Sequence, residues 1–164
     1  GPAVGIGVTL LMHCDLVYCS RAATFWVPFT RIALVPEFCS SVTFVEAMGL
    51  GRANELLLLG KKIDAERAVL DRISCGIIED CDTTGNAFAP TSIGNKVCEE
   101  LDERLFQLCH GDKTSEMFVS MVRGIRRKSL ELICKEELMK LDERMKSGDV
   151  LEAAIQLKLG KSKM

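Results

Sequence analysis

A glycine-punctuated loop that leads into an apolar helix is the strongest constraint on the fold of this 164-residue chain. The chain opens with GPAVGIGVTLLMHCDLVYC, in which Gly1, Gly5 and Gly7 precede an apolar run. The pattern predicts a short buried helix over residues 8–14, followed by strands at residues 16–20 and 23–26. Glycines just before a helix let backbone N–H groups approach a ligand, and the helix dipole adds a partial positive charge there. The opening segment therefore predicts a site for a developing oxyanion.

One acid, Glu37, lies in an apolar setting in the segment VPFTRIALVPEFCSS. Its neighbours Val35, Pro36 and Phe38 exclude water, and an acid that loses hydration has a raised pKa that suits proton shuttling. Glu37 is therefore a candidate general base. The alternative is that Glu37 caps a helix beginning near Ser40, where a carboxylate interacts favourably with the helix dipole.

The rest of the chain reads as α/β in its first half and helical in its second. Helices are predicted at residues 40–48, 51–59 and 65–73. Ser40 or Ser41 is the expected N-cap of the first helix, and Asp64 is that of the third. Gly49 and Gly60 are expected to end the first and second helices. A strand is predicted at residues 75–81, and the stretch DTTGNAFAPTSIGN marks a hinge. We therefore expect a core region over residues 1–82 and a helical region over residues 83–164.

Composition limits the classes of function. A net charge of −2 argues against bulk nucleic-acid binding, and 48% hydrophobic residues suit one soluble globular unit. An apolar run long enough to span a membrane is absent, because His13 and Asp15 interrupt the first one. The eight cysteines form no CxxC pair and only two histidines accompany them, so we expect free buried thiols and no metal site.

Several segments together resemble the crotonase (enoyl-CoA hydratase/isomerase) superfamily, and within it the peroxisomal Δ3,Δ2-enoyl-CoA isomerases. They are GPAVGIGVTLLMHCDLVY, ATFWVPF, PEFCSS, ELLLLGKKIDA and the terminal KSKM. The resemblance implies the α/β crotonase (ClpP-like spiral) fold, of which this chain would be the C-terminal portion of a longer protein. It also implies that the C-terminal helices assemble the protein into homotrimers or hexamers.

The resemblance further implies a site for isomerising a fatty 3-enoyl-CoA to its conjugated 2-trans isomer. Glu37 matches the family's catalytic glutamate, and the Ile6 N–H, between Gly5 and Gly7, matches the second oxyanion donor. Coenzyme A is part of the substrate, so no separate cofactor is expected. The aromatic residues expected either to line the acyl channel or to pack in the core are Trp26, Phe29 and Phe38.

The same resemblance separates the reactions of the superfamily. Hydratases use two glutamates at positions that here hold Thr9 and Phe29, and neither side chain activates water as a carboxylate does. A single-base isomerase is therefore favoured over a hydratase. The other alternative is a non-catalytic crotonase-fold protein that binds acyl-CoA.

Two further features bear on partners. Ser162-Lys163-Met164 differs from the peroxisomal address S-K-L by one apolar change, which implies an import receptor and a location in the peroxisome or glycosome. A basic cluster of Arg123, Arg126, Arg127 and Lys128 is either a solvated helix face or a contact for the phosphates of coenzyme A.

Overall fold

A computed structural model describes residues 1–78 and 114–158, which combine short strands with helices. The strands are β1 (Pro2–Val4), β2 (Tyr18–Ser20), β3 (Thr24–Trp26), β4 (Ile63–Asp64) and β5 (Gly76–Ile78). The helices are α1 (Ile6–Thr9), α2 (Ser40–Met48), α3 (Leu50–Leu57), α4 (Ala65–Leu70), α5 (Thr114–Lys146) and α6 (Asp149–Lys158), with 3-10 turns at Leu10–His13 and Thr30–Ile32. The predicted boundary at residue 82 lies outside the described residues.

The strands form two small sheets that anchor the opening loop. β1 pairs in parallel with β3, and β3 pairs antiparallel with β4. β2 and β5 form a separate parallel pair. Because side chains alternate along a strand, Phe25 in the middle of β3 points into the core while its neighbours are only half-buried. β1 therefore delivers the glycine loop directly from a paired strand edge.

Helices α2, α3 and α4 cover the core with short apolar or small side chains at helical spacing. The buried positions of α3 are Ala53, Leu56 and Leu57, which share one face. Gly49 ends α2 and begins α3 with a φ of +82°, a conformation that favours glycine and that turns the chain sharply between the two helices. Phe44, fully buried on α2, is the largest side chain at the centre of this packing.

The long helix α5 runs along the outside of this core. It has 33 residues, and its apolar residues Met117, Met121 and Ile125 face solvent, Ile125 being 85% exposed. Within the described part of α5 the buried side chain is an acid, Glu137. Helix α6 follows and packs against the 3-10 turn at Thr30–Ile32. In the described ranges, no helix is both long and apolar enough to span a membrane.

The first predicted helix is wrong in its bounds and in its regularity. Instead of one helix over residues 8–14, α1 begins at Ile6 and gives way at Leu10 to a tighter 3-10 turn that ends at His13. The expectation of buried thiols is also wrong in part. The five cysteines within the described residues are free, but Cys14 and Cys75 are exposed, whereas Cys39 is buried.

Candidate active site

The glycine loop is fixed to the sheet at its first turn. The Gly5 N–H donates to the Trp26 carbonyl oxygen at 2.8 Å, and Gly5 has a φ of +57°. Ile6 begins α1, and the first N–H groups of a helix have no acceptor within that helix. A Cβ placed on Gly5 or Gly7 would meet no heavy atom within 4 Å, so open space borders the loop. Within the described part of the chain, the Ile6 and Gly7 N–H groups have no acceptor and lie beside this open space.

Glu37 lies partly buried between the 3-10 turn at Thr30–Ile32 and helix α2. Burial raises the pKa of its carboxyl above the ordinary 4.5, and the negative charge of Glu137 raises it further. Among the described residues, no cation and no hydrogen-bond donor contacts the Glu37 carboxylate. The expected desolvation of Glu37 is confirmed in direction, and the carboxylate is left available for proton transfer.

The capping role considered for Glu37 belongs to a different residue. Two N–H groups at the start of α2 donate to Glu137 of α5, whose Oε2 accepts from the Cys39 N–H at 2.6 Å and whose Oε1 accepts from the Ser41 N–H at 3.0 Å. The Ser41 hydroxyl also donates to Glu137 Oε1. Glu137 thus satisfies two N–H groups of this helix terminus, and the Ser40 N–H donates to the Glu37 carbonyl oxygen at 3.0 Å. The Glu37 carboxylate is not used to cap the helix.

The turn between Glu37 and α2 has an unusual backbone. Phe38 and Cys39 are both left-handed, with φ values of +56° and +60°, a region that side chains other than glycine seldom occupy. On one side His13 contacts the turn, because its Nε2–H donates to the Phe38 carbonyl oxygen at 2.8 Å. The two rings meet edge to face at 4.8 Å. His13 is thus satisfied by this turn, half-buried and not in the core.

The contact between His13 and Phe38 also links the glycine loop to the turn that follows Glu37. The helical run from Ile6 through the 3-10 turn ends at His13, so its ends lie about 12 Å apart. Ile6 is at one end of this run, and the residue after Glu37 is held at the other. A single short segment therefore fixes the glycine loop relative to the turn that carries the acid.

The three aromatic candidates have different surroundings. The Trp26 indole N–H donates to the Gly60 carbonyl oxygen at 2.8 Å, and the Arg31 guanidinium lies over its ring at 5.8 Å from the centroid. Phe29 packs in the core cluster. Phe38 is 38% exposed and lies beside Glu37. A role for each in lining an acyl channel stays a prediction.

Comparison with known proteins identifies the family. The model of the enoyl-CoA hydratase/isomerase family matches residues 1–88, which is more than half of the chain. The chain belongs to this family.

Named relatives and a solved structure match different lengths of the chain. Enoyl-CoA delta isomerase 2 of Rattus norvegicus is 54% identical over 68 residues, 42% of this chain and 17% of the rat protein. Chromodomain Y-like protein 2 of Homo sapiens is 31% identical over 153 residues, 93% of this chain and 28% of the human protein. An enoyl-CoA hydratase/isomerase from Pseudoalteromonas atlantica superposes with a TM-score of 0.83 at 28% identity, covering 100% of this chain and 61% of that structure. The fold is thus the crotonase fold, and the chain spans less than two thirds of the length of these proteins.

Within this family, the two positions matched to hydratase glutamates lie in the core. Thr9 is fully buried, and its hydroxyl donates to the Ile6 carbonyl oxygen at 3.4 Å. Phe29 is 2% exposed. A hydroxyl engaged with the backbone and a buried phenyl ring cannot replace carboxylates, so these two positions do not supply a pair of acids.

Sequence reasoning missed Glu137, because it lies 98 residues from Cys39, whose N–H it accepts. The available signal is its spacing on α5, where Ile133, Cys134 and Leu141 lie on the same stripe and are half-buried around it. An acid in an otherwise apolar stripe indicates a buried charge with a specific partner.

Three members of the predicted basic cluster on α5 pair with acids of the same chain. Arg123 pairs with Asp15, Arg126 pairs with Glu46 on α2, and Arg127 pairs with Glu131 one turn along its own helix. Two of these pairs join α5 to the core. Each pair is largely exposed, so each contributes at most about 1 kcal/mol.

Cys39 is close to the acid but is not a nucleophile candidate. Burial, together with the nearby Cys134 and Glu137, raises the pKa of its thiol to about 11. The thiol is therefore protonated at neutral pH, and its Sγ donates to the Leu130 carbonyl oxygen at 3.2 Å. Its place is structural, between the turn and α5.

Proposed function

We propose that the protein isomerises a fatty 3-enoyl-CoA to the conjugated 2-trans-enoyl-CoA, with Glu37 as a single proton shuttle. The observation that carries the proposal is the environment of Glu37, a partly buried acid with a raised pKa and with no cation or donor on its carboxylate among the described residues. Such an acid is a stronger base than an exposed glutamate, and its carboxylate is not committed to a structural contact. The isomerase names of several relatives support the same reaction.

In this mechanism, the Glu37 carboxylate removes a proton from C2 of the acyl thioester. The electron pair moves onto the thioester oxygen to give an enolate, and the protonated Glu37 returns the proton to C4, so that the double bond ends between C2 and C3. The Ile6 N–H, between Gly5 and Gly7, donates to the enolate oxygen. One such donor contributes on the order of 3 kcal/mol to transition-state stabilisation.

The residues at the two positions matched to hydratase glutamates favour isomerisation over hydration. Hydration needs one group to hold and deprotonate water and another to protonate C2, and the matched positions hold the buried Thr9 and Phe29. Proton transfer between C2 and C4 needs one base that reaches both carbons. This mechanism draws on no metal, so we expect treatment with a chelator to leave turnover unchanged.

The test supplies two substrates to the full-length protein. With a 3-enoyl-CoA we expect formation of the conjugated thioester, followed by its ultraviolet absorbance. With a 2-trans-enoyl-CoA we expect no loss of that absorbance through hydration. Hydration as fast as isomerisation would contradict the single-base mechanism.

A second candidate, an acyl-CoA-binding protein without catalysis, is favoured by one comparison. The relatives matched along 93% of this chain are named for a chromodomain and not for an enzyme. Calorimetric binding of a saturated acyl-CoA, combined with no turnover of any enoyl-CoA, would support this candidate over the isomerase.

Assembly and location are also proposals. The exposed apolar residues of α5, among them Met117, Phe118, Met121 and Ile125, support assembly into homotrimers or hexamers, which light scattering of the purified protein tests. Ser162-Lys163-Met164, which lies outside the described residues, and the peroxisomal name of one relative support import into the peroxisome or glycosome. Unchanged localisation after deletion of these three residues would contradict the targeting proposal.

A further inference from the structure

Glu137 is a buried acid on an exposed helix. It is 6% exposed, whereas Glu136 beside it faces solvent. Burying a carboxylate is unfavourable unless donors replace its lost water, and Glu137 has three: the N–H groups of Cys39 and Ser41 and the Ser41 hydroxyl. All three lie at the start of α2, where the helix dipole also favours a negative charge. A buried acid, Glu137, therefore contacts the turn that follows Glu37.

The backbone turn at Phe38 and Cys39, which Glu137 contacts, is not stabilised by its own residues alone. Phe38 and Cys39 are consecutive left-handed residues without the freedom of glycine, and such a turn persists only where its surroundings fix it. His13 holds the Phe38 carbonyl on one side, and Glu137 holds the Cys39 N–H on the other. Since Phe38 follows Glu37 directly, release of either contact would let the Glu37 carboxylate move.

We propose that Glu137 is a positioning residue for Glu37: its carboxylate clamps the strained turn that carries Glu37 and keeps a fixed negative charge beside it. The inference rests on the proposed isomerase, because it assigns Glu37 the role of base. It also gives α5 a function in the site, although none of its residues need touch the substrate.

Charge reinforces the geometry. The pKa of Glu37 is raised first by burial and second by the negative charge of Glu137. Other titratable or charged groups lie on the turn and on the elements around it, namely His13, Arg31, Cys39, Glu46, Cys134, Arg144, Asp149 and Glu152. Arg144 is engaged with Asp149 and with the Ala33 carbonyl oxygen, and Glu46 is engaged with Arg126. Glu137 is therefore the group whose neutralisation should weaken Glu37 as a base.

The test compares four forms of the full-length protein: the parent, Glu137→Gln, Ser41→Ala and the control Glu136→Gln. For each, kcat and KM are measured against pH with a 3-enoyl-CoA, and the pKa of Glu37 is followed by carbon-13 NMR of the labelled carboxyl. Glu137→Gln keeps the size of the side chain but removes its charge and one acceptor oxygen. Ser41→Ala removes one donor and leaves both acids in place.

We expect Glu137→Gln to lower kcat at least about tenfold, since misplacement of a base by about 1 Å costs on the order of a hundredfold. KM should stay within about threefold of the parent value, because misplacement of the base lowers kcat without weakening substrate binding. The acid limb of the kcat profile and the NMR pKa of Glu37 should both move to lower pH. Ser41→Ala should lower kcat by about threefold without moving the acid limb, and Glu136→Gln should match the parent.

A Glu137→Gln protein that matches Glu136→Gln in both kcat and the pKa of Glu37 would overturn the inference. If Glu137→Gln fails to fold, Ser41→Ala decides, and an unchanged kcat overturns the clamp. If the parent protein has no isomerase activity, the proposed function fails separately. The NMR titration then decides whether Glu137 acts on Glu37, and an unchanged pKa overturns the inference.

Discussion

Removal of the Glu137 carboxylate should destabilise the fold mainly because the buried Cys39 N–H loses its acceptor. Cys39 is buried, so in Glu137→Ala its N–H loses an acceptor at 2.6 Å and gains no water in exchange. A hydrogen bond to a charged group contributes about 1.5–3 kcal/mol, and a buried donor left unsatisfied costs a similar amount. Ser41 is half-buried, so water replaces part of what its N–H and hydroxyl lose. The total expected for Glu137→Ala is therefore about 3 kcal/mol.

A double-mutant cycle with Ser41→Ala isolates the contact from the general cost of truncation. Ser41→Ala alone should cost about 1.5 kcal/mol, because its hydroxyl donates to a carboxylate. In the Glu137→Ala background the same change should cost about 0.5 kcal/mol, since the acceptor is already gone. The coupling energy expected is thus about 1 kcal/mol, well above the additivity error of about 0.3–0.5 kcal/mol.

The assay is guanidinium unfolding of the full-length protein, followed by circular dichroism and extrapolated linearly to water. Glu136→Ala is the matched control, because it removes an exposed acid one residue away and should change stability by less than about 0.5 kcal/mol. If Glu137→Ala costs no more than Glu136→Ala, or the coupling lies within the additivity error, the clamp does not exist as described.

Three other perturbations test separate parts of the structure. Glu37→Gln should be more stable than the parent at about pH 8 but not at about pH 4 in unfolding titrations. Because the pKa of Glu37 is raised in the folded state, protonation of Glu37 favours folding fully at a pH below its ordinary pKa of 4.5. This contribution is lost as the pH rises through the raised folded-state pKa, and Glu37→Gln has no such loss. Phe44→Ala should cost about 3–5 kcal/mol in the same titrations, because Phe44 is fully buried, and a loss below about 1 kcal/mol would contradict its central place in the core. Gly5→Ala should cost about 1 kcal/mol from its φ of +57°, and equal melting temperatures would refute the strain.

Local sequence predicted the elements whose signals are local. The helix over Ser40–Met48 and its stop at Gly49 are as expected, and Asp64 caps α4 by accepting the Arg67 N–H at 2.8 Å. These features depend on side chains within a few residues. The direction of the Glu37 pKa was also predictable, because Val35, Pro36 and Phe38 adjoin it in the chain.

The features that local sequence could not supply depend on distant contacts. Ser40 or Ser41 was the predicted cap of α2, but Cys39 occupies the cap position without a side-chain bond, and Glu137 supplies the acceptor from α5. The left-handed turn at Phe38 and Cys39 is contacted by that distant partner and by His13, neither of which is adjacent to it in the sequence. Propensity therefore located the helix but missed the clamp beside the candidate base.

Turnover of a 3-enoyl-CoA by the full-length protein and its Glu37→Gln variant tests the central claim most directly. Glu46→Gln is the control, because Glu46 is an exposed acid on α2 whose pair with Arg126 contributes little. We predict that Glu37→Gln loses about a hundredfold or more in kcat, the scale of a missing general base, while acyl-CoA binding and the Glu46→Gln enzyme stay unchanged. Equal turnover in the parent and Glu37→Gln would remove Glu37 from the mechanism.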